Sequence, residues 1–373
     1  MAHAYTPGLK VTEQTTIRKI RRLPLLGDVL VKVGEMVNPD DVVAKTDLPG
    51  NPVSVNVAHD LACEAEDVPR YMVKKPGDKI AKGEALAKSS SFFGLSKREL
   101  KSPIDGSVEL ISGVTGQVTL REPPIPVQVK AYIKGKVVEI LPREGVIIET
   151  PAAFIQGIFG VGGEVQGQIK LVAKTPNDVL DASSFSPDCK GQIIVGGSLV
   201  TGAALKKAIE VGAAGVVAGG IIDADLIALL GYDIGVAITG HEDIPITVIV
   251  TEGFGQIKMA DKTFNLFKHI DGEVASINGA TQIRAGVMRP EIIVPEHKPA
   301  GRVAADTTSE GLVPGTPIRV IREPYFGVLA EVVDLPPELQ VIETEAKVRI
   351  LRCKLEDGRV VTVPRANVEI IEG

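Results

Sequence analysis

His241, Glu242 and Asp243 follow Thr239-Gly240 in the stretch ITGHEDIP, which places an imidazole directly beside two carboxylates. An imidazole titrates near neutrality and a carboxylate can orient it, so this is the segment with the clearest acid/base potential. Neighbours in sequence seldom converge on one reacting atom, however, and no G-x-S-x-G elbow supplies a nucleophile. Turn polarity is the simpler reading, and no catalytic residue is assigned. The remaining histidines, His3, His59, His269 and His297, form no HxxxH or HxH pair, and Cys63, Cys189 and Cys353 lie more than a hundred residues apart. Neither a metal ligand set nor a redox pair is present in that spacing, so no metal and no cofactor is expected.

Glycine offers a second kind of chemistry. Gly219-Gly220, Thr239, His241 and the run Thr251-Glu252-Gly253 with Gly255 lie where apolar strands end and helices begin. Amide N–H groups at such junctions, helped by the helix dipole, can hold a small phosphate or carboxylate. These eight residues are the candidate ligand-binding positions. Glycine is equally required for tight strand-to-helix turns, and no G-x-G-x-x-G followed by an acidic residue marks a ribose site. The stretch IQGIFGVGGEVQG at residues 155–167 fits neither phosphate-loop pattern and reads as twisted β connections.

The elements that must position these residues follow from periodicity. GQIIVGG and AGVVAGG read as short buried strands, and Thr201 caps a helix over ALKKAIEV that ends at Gly212. IDADLIALL forms a second helix stopped by Gly231, ITVIVTEG a further strand, and QIKMADKTFNLFKHIDG a third helix with Ile257, Phe264, Leu266 and Phe267 toward the core. DIGVAITG is expected as a strand between them, and GEVASINGATQIRAG returns to strand. Alternating strands and helices with continuously apolar strands imply a mainly parallel sheet covered on both faces. Its ligand crevice would lie outside the strand carboxyl ends. Arg284 and Arg289 could bind an anion or brace a domain boundary, and bracing is the expectation.

Before residue 150 the rhythm is short strands and glycine turns. VGEMVNPDDVVAKT from Val33 and PGDKIAKGEALAKS from Pro76 align without a gap, matching Gly34 to Gly77, Val37 to Ile80 and Ala44 to Ala87. One hairpin unit is used twice. PGDKIAKGEALA followed by KSPIDGSVEL resembles the biotinyl/lipoyl type of barrel-sandwich hybrid domain, also found without its carrier lysine in the Rnf complex and in the related sodium-pumping quinone reductase. The resemblance implies a lysine at a hairpin tip when cargo is carried. Here the interval reads SSSFFGLSKREL, where Lys97 stands outside any Met-Lys-Met or Asp-Lys-Ala context, so the domain is expected to carry no prosthetic group and to act in docking.

At the other end, GTPIRVIREPYFGVLAEVVDLP and AKVRILRCKLEDGRVVTVPRANVEII alternate around an Asp357-Gly358 hairpin, implying a small bent barrel. RVIREPYFGVLAEVV resembles the KOW motif of NusG-like factors, with Tyr325, Phe326 and Gly327 at the matching positions and Ala330 where a second glycine is usual. The resemblance implies contact with RNA, the ribosome or a transcription partner, with Tyr325 and Phe326 as the partner-binding residues. From Gly315 onward eight cations face ten carboxylates, which is poor electrostatics for a nucleic acid, so a protein partner is the stronger expectation.

The totals agree with this picture. A chain of 373 residues with 44% hydrophobic residues, no Trp and 4% aromatics must build its cores from Val, Ile, Leu and Ala. A net charge of −6 argues against general polyanion binding. The most apolar long window, residues 212–231, carries Asp223 and Asp225 at its centre, and the N-terminus has no continuous apolar run, so no membrane insertion and a cytoplasmic location are expected. The expected fold class is multidomain α+β: a β-rich barrel-sandwich hybrid region over 1–188, a central α/β domain with a mainly parallel sheet over 189–295, a linker over 296–314 and a KOW-like β barrel over 315–373. Three functions stay open. The first is a non-catalytic scaffold or adaptor making protein contacts; the second is an enzyme or sensor for a small anionic ligand; the third is an RNA- or ribosome-associated factor.

Overall fold

The computed structural model describes residues 9–90, 97–232, 244–281, 288–298, 312–322, 325, 328–336, 338–341, 347–355 and 357–370. Thirteen described strands form one large mixed sheet, so the protein is strand-rich. At its centre Glu164–Leu171, Ile193–Val195, Gly215–Ile221 and Thr247–Phe254 run parallel, flanked by antiparallel Phe159–Val161 on one side and Val274–Asn278 on the other.

Side-chain alternation divides the core of this sheet into two halves. Ile194, Val216, Ala218, Val248 and Val250 face one layer, which contains Ala204, Leu205 and Ala208 of helix Gly202–Val211 and Leu226 of helix Asp223–Leu230. Ile193, Val195, Val217 and Ile249 face the other, filled by Phe264 and Phe267 of helix Asp261–His269. Strands buried on both faces have no solvent side, which is why they read as unbroken apolar runs. The first helix begins and ends where expected: Thr201 accepts the Ala204 amide at 3.2 Å, and Gly212 closes the helix with φ 75°. The third helix starts at Asp261, not near Gln256 as the periodicity predicts, because residues 255–259 make a different set of bonds. The segment DIGVAITG and Arg284 lie outside the described residues.

The sheet continues across residue 188 into the N-terminal part. Glu291–Pro295 pairs with Gly145–Gln156, which also takes the twelve-residue strand Val11–Arg22 along its length.

The repeated hairpin unit is reproduced bond for bond. Gly34 and Gly77 both take left-handed backbone, φ 89° and 93°, and each donates its amide at 2.7 Å, to Val137 O and Val108 O. Glu35 accepts the Lys32 amide at 2.8 Å, as Asp78 accepts that of Lys75 at 2.7 Å. Asp41 and Glu84 close the second turn by accepting the amides of Asn38 and Ala81. Met36–Val37 pairs with Gly135-Lys136 in the register with which Lys79–Ile80 pairs with Gly106-Ser107. The buried residues correspond too, Val43 with Leu86 and Ala44 with Ala87, all at 0% exposure. Residues 33–44 with 135–141, and 76–87 with 106–111, are therefore two copies of one β unit, each completed by a strand distant in sequence.

C-terminal strands Pro317–Val320, Leu329–Asp334, Lys347–Leu355, Val360–Pro364 and Val368–Ile370 enclose a core of Ile318, Val320, Val332, Leu351, Cys353, Leu355, Val363 and Val368. Gly358 turns the hairpin with φ 84° and Asp357 accepts the Arg359 amide at 3.0 Å. Among the described residues no helix is long and apolar enough to cross a membrane.

Candidate functional site

Six of the eight candidate ligand-binding residues, Gly219, Gly220, Thr251, Glu252, Gly253 and Gly255, gather at the carboxyl end of the parallel strands; Thr239 and His241 lie outside the described residues. What meets Gly219 and Gly220 is backbone, while Gly253 and Gly255 take left-handed backbone with open space or a side-chain methyl beside them. A methyl group on Gly219 would come within 2.3 Å of Ile257 O, and one on Gly220 within 2.0 Å of Gly255 O. After Thr247–Phe254 the chain turns across the neighbouring strand ends and bonds to each junction in succession. Gly255 N donates to Ile221 O at 2.8 Å, Ile257 N to Ser198 O at 3.1 Å, and Met259 N to Pro176 O at 3.1 Å. Residues 255–259 thus lie across the crevice where an α/β sheet ordinarily receives its ligand. The amides of Gly219 and Gly255 are both spent on protein carbonyls.

The start of helix Gly202–Val211 is also occupied. A methyl group on Gly202, the first residue of Gly202–Val211, would come within 2.5 Å of Asp225 Oδ1. A carboxylate of the chain itself therefore sits where the helix dipole favours negative charge. Thr251 is 2% exposed with its hydroxyl turned to Ala218 O at 3.4 Å. Glu252 accepts the Ala260 amide on Oε1 at 3.0 Å and meets the Arg319 guanidinium on Oε2.

Among the described residues, two further clusters of polar side chains stand out. Lys170 Nζ lies 2.5 Å from Asp188 Oδ2 and 3.8 Å from Cys189 Sγ, and Ser186 donates to Asp188. The Lys170 ammonium and the Ser186 hydroxyl pull the Asp188 carboxyl down to about 2, and Asp188 raises the Lys170 pKa. An ammonium held charged in this way cannot serve as a base for Ser186. In the second cluster Tyr132, buried and with φ 70°, lies under the guanidinium of Arg21 at 5.3 Å and the ammonium of Lys19 at 6.0 Å. Arg21 forks onto Glu164 at 2.6 and 2.7 Å, and Lys19 pairs with Glu291 at 2.5 Å. Burial, then the charges of Glu291 and Glu164, push the Tyr132 phenol well above its ordinary value, so it stays protonated. This cluster ties the Val11–Arg22 strand to the rest of the large sheet.

Sequence reading overlooked Arg319 and the crossing path of residues 255–259. A signal existed for the first: a carboxylate at the end of the apolar strand ITVIVTEG has to find a cation if it is buried. Of the two partner-binding candidates, Phe326 lies outside the described residues, while Tyr325 is partly buried and rests against the core of the C-terminal strands. Lys97 pairs its backbone with Ser90 beside residues 91–96, which lie outside the described residues. Among the described residues no group of His, Cys, Asp or Glu is arranged to hold a metal ion, and the three cysteines are free thiols. No model of a known protein family matches the chain, and no curated protein is significantly similar to it.

Proposed function

We propose that the protein is a non-catalytic cytoplasmic scaffold or adaptor that works by making protein contacts. In this reading the N-terminal region is a barrel-sandwich hybrid of the biotinyl/lipoyl kind without cargo, and the C-terminal barrel is a KOW-like module that docks a protein. The observation that carries the reading is the course of residues 255–259: the crevice position is filled by backbone already bonded to the strand ends, leaving the glycines in structural roles. A second feature favours contacts over chemistry. Leu25, Leu26, Leu30, Val33 and Met36 are 48 to 60% exposed within twelve residues of the N-terminal region. Clustered exposed aliphatics are a mark of interaction surfaces.

Two measurements on the full chain test this. Thermal unfolding in the presence of nucleotides, sugar phosphates and short RNAs should show no shift. Affinity capture from the native cell should retain a defined protein that is lost when Leu25 and Leu26 are both changed to Asp, with the melting temperature unchanged. A shift with any phosphate ligand that Gly253→Val abolishes would replace the adaptor reading with a ligand-binding one. A salt-sensitive RNA complex would replace it with an RNA-associated one.

A further inference from the structure

Along the strand Pro317–Val320, Ile318 and Val320 point into the C-terminal core at 0% and 1% exposure. Period-two alternation therefore turns Arg319 out of the barrel, where a strand of a free-standing barrel meets water. Arg319 is nevertheless only 3% exposed. What it meets is Glu252, at the carboxyl end of the central Thr247–Phe254 strand, and the two side chains are 4% and 5% exposed. Glu252 faces two ways: Oε1 accepts the Ala260 amide inside the central sheet domain, while Oε2 takes the guanidinium of the other domain.

We infer that the C-terminal barrel is a cap latched over the carboxyl end of the central sheet, with the Glu252–Arg319 ion pair as the latch. A pair desolvated on both sides favours the docking geometry in which the two groups meet, since parting them while both stay buried is costly. Its net contribution to closure is small, because both charges recover their hydration when the domains part. Those two properties together describe a contact that is specific when closed and can be opened. In the closed form Glu252 and Arg319 are covered; in the open form the two side chains become available together. The inference stands independently of the adaptor reading, since it concerns how two parts of one chain meet.

The test uses the full chain and two substitutions. Arg319→Met removes the cation, and Glu252→Gln removes the charge while keeping an oxygen for the Ala260 amide. Both are expected to keep the wild-type circular dichroism, to enlarge the radius of gyration seen by solution scattering, and to speed amide exchange over residues 252–260 by roughly tenfold or more. Wild-type scattering and exchange in both single variants would overturn the latch. Global unfolding of both would overturn it too, because the pair would then belong to a common core and not to a separable contact.

Discussion

At Gly220 a methyl group would meet Gly255 O at 2.0 Å, whereas at Gly163 it would meet nothing within 4 Å and the backbone is not left-handed. Gly220→Ala is expected to destabilise the chain by about 2 kcal/mol or more and Gly163→Ala by less than about 0.5 kcal/mol, read from denaturant unfolding midpoints. The same pair separates the two meanings of glycine in the sequence, since a ligand loop would tolerate the first change in stability and lose only binding. Asp188 provides a titration at this scale. Its folded pKa of about 2 lies below the ordinary 3.8. Whatever stability it contributes is thus fully present above the unfolded value and is lost as pH falls through the folded one. A carboxyl carbon titration by NMR should place the Asp188 midpoint near 2, and Lys170→Met should return it most of the way toward 3.8. An unmoved midpoint would show that the ion pair does not form in solution.

The repeated hairpin is the element whose behaviour is most sharply constrained. Gly34 and Gly77 hold the same left-handed turn, each with open space around the α-carbon, the nearest atom to an added methyl at Gly34 being Lys136 Cε at 4.0 Å. Replacing either with Ala should therefore cost backbone strain alone, about 1 kcal/mol, and nearly the same amount in both copies. Unequal losses would mean that the two units differ in their surroundings. The helix Gly202–Val211 offers a second case: Thr201→Ala removes the side-chain acceptor for the Ala204 amide and should cost about 1 kcal/mol, measurable as a lowered unfolding midpoint. Both features were legible beforehand, because turns and caps are set by residues a few positions apart. The start of helix Asp261–His269 was not, because a carboxylate on the preceding strand captures the Ala260 amide and residues 255–259 bond to three separate strand junctions. Periodicity cannot register bonds of that kind.

On the scale of the whole molecule, the large sheet joins parts that composition alone divides near residue 188. Gly145–Gln156 is held by Val11–Arg22 on one side and Glu291–Pro295 on the other, and Ile293 shares a core with Ile17, Val146 and Ile148. Amides of Val11–Arg22 should accordingly exchange as slowly as those of Glu291–Pro295, with both released in one cooperative opening. Early exchange of the first strand alone would show that the N-terminal region opens separately.

Local chemistry written in the sequence was enough for the turns of the repeat, the Thr201 and Gly212 helix ends, the doubly buried strands and the strand alternation around Asp357-Gly358. Each depends on φ preferences, capping groups or apolar periodicity within about ten residues. Only the tertiary structure decided that residues 255–259 cross the strand ends, that Asp225 lies against the start of another helix, and that Glu252 belongs with Arg319. Those pairings join residues 23 to 83 positions apart, and a residue's type states which partner it needs without stating where along the chain that partner stands.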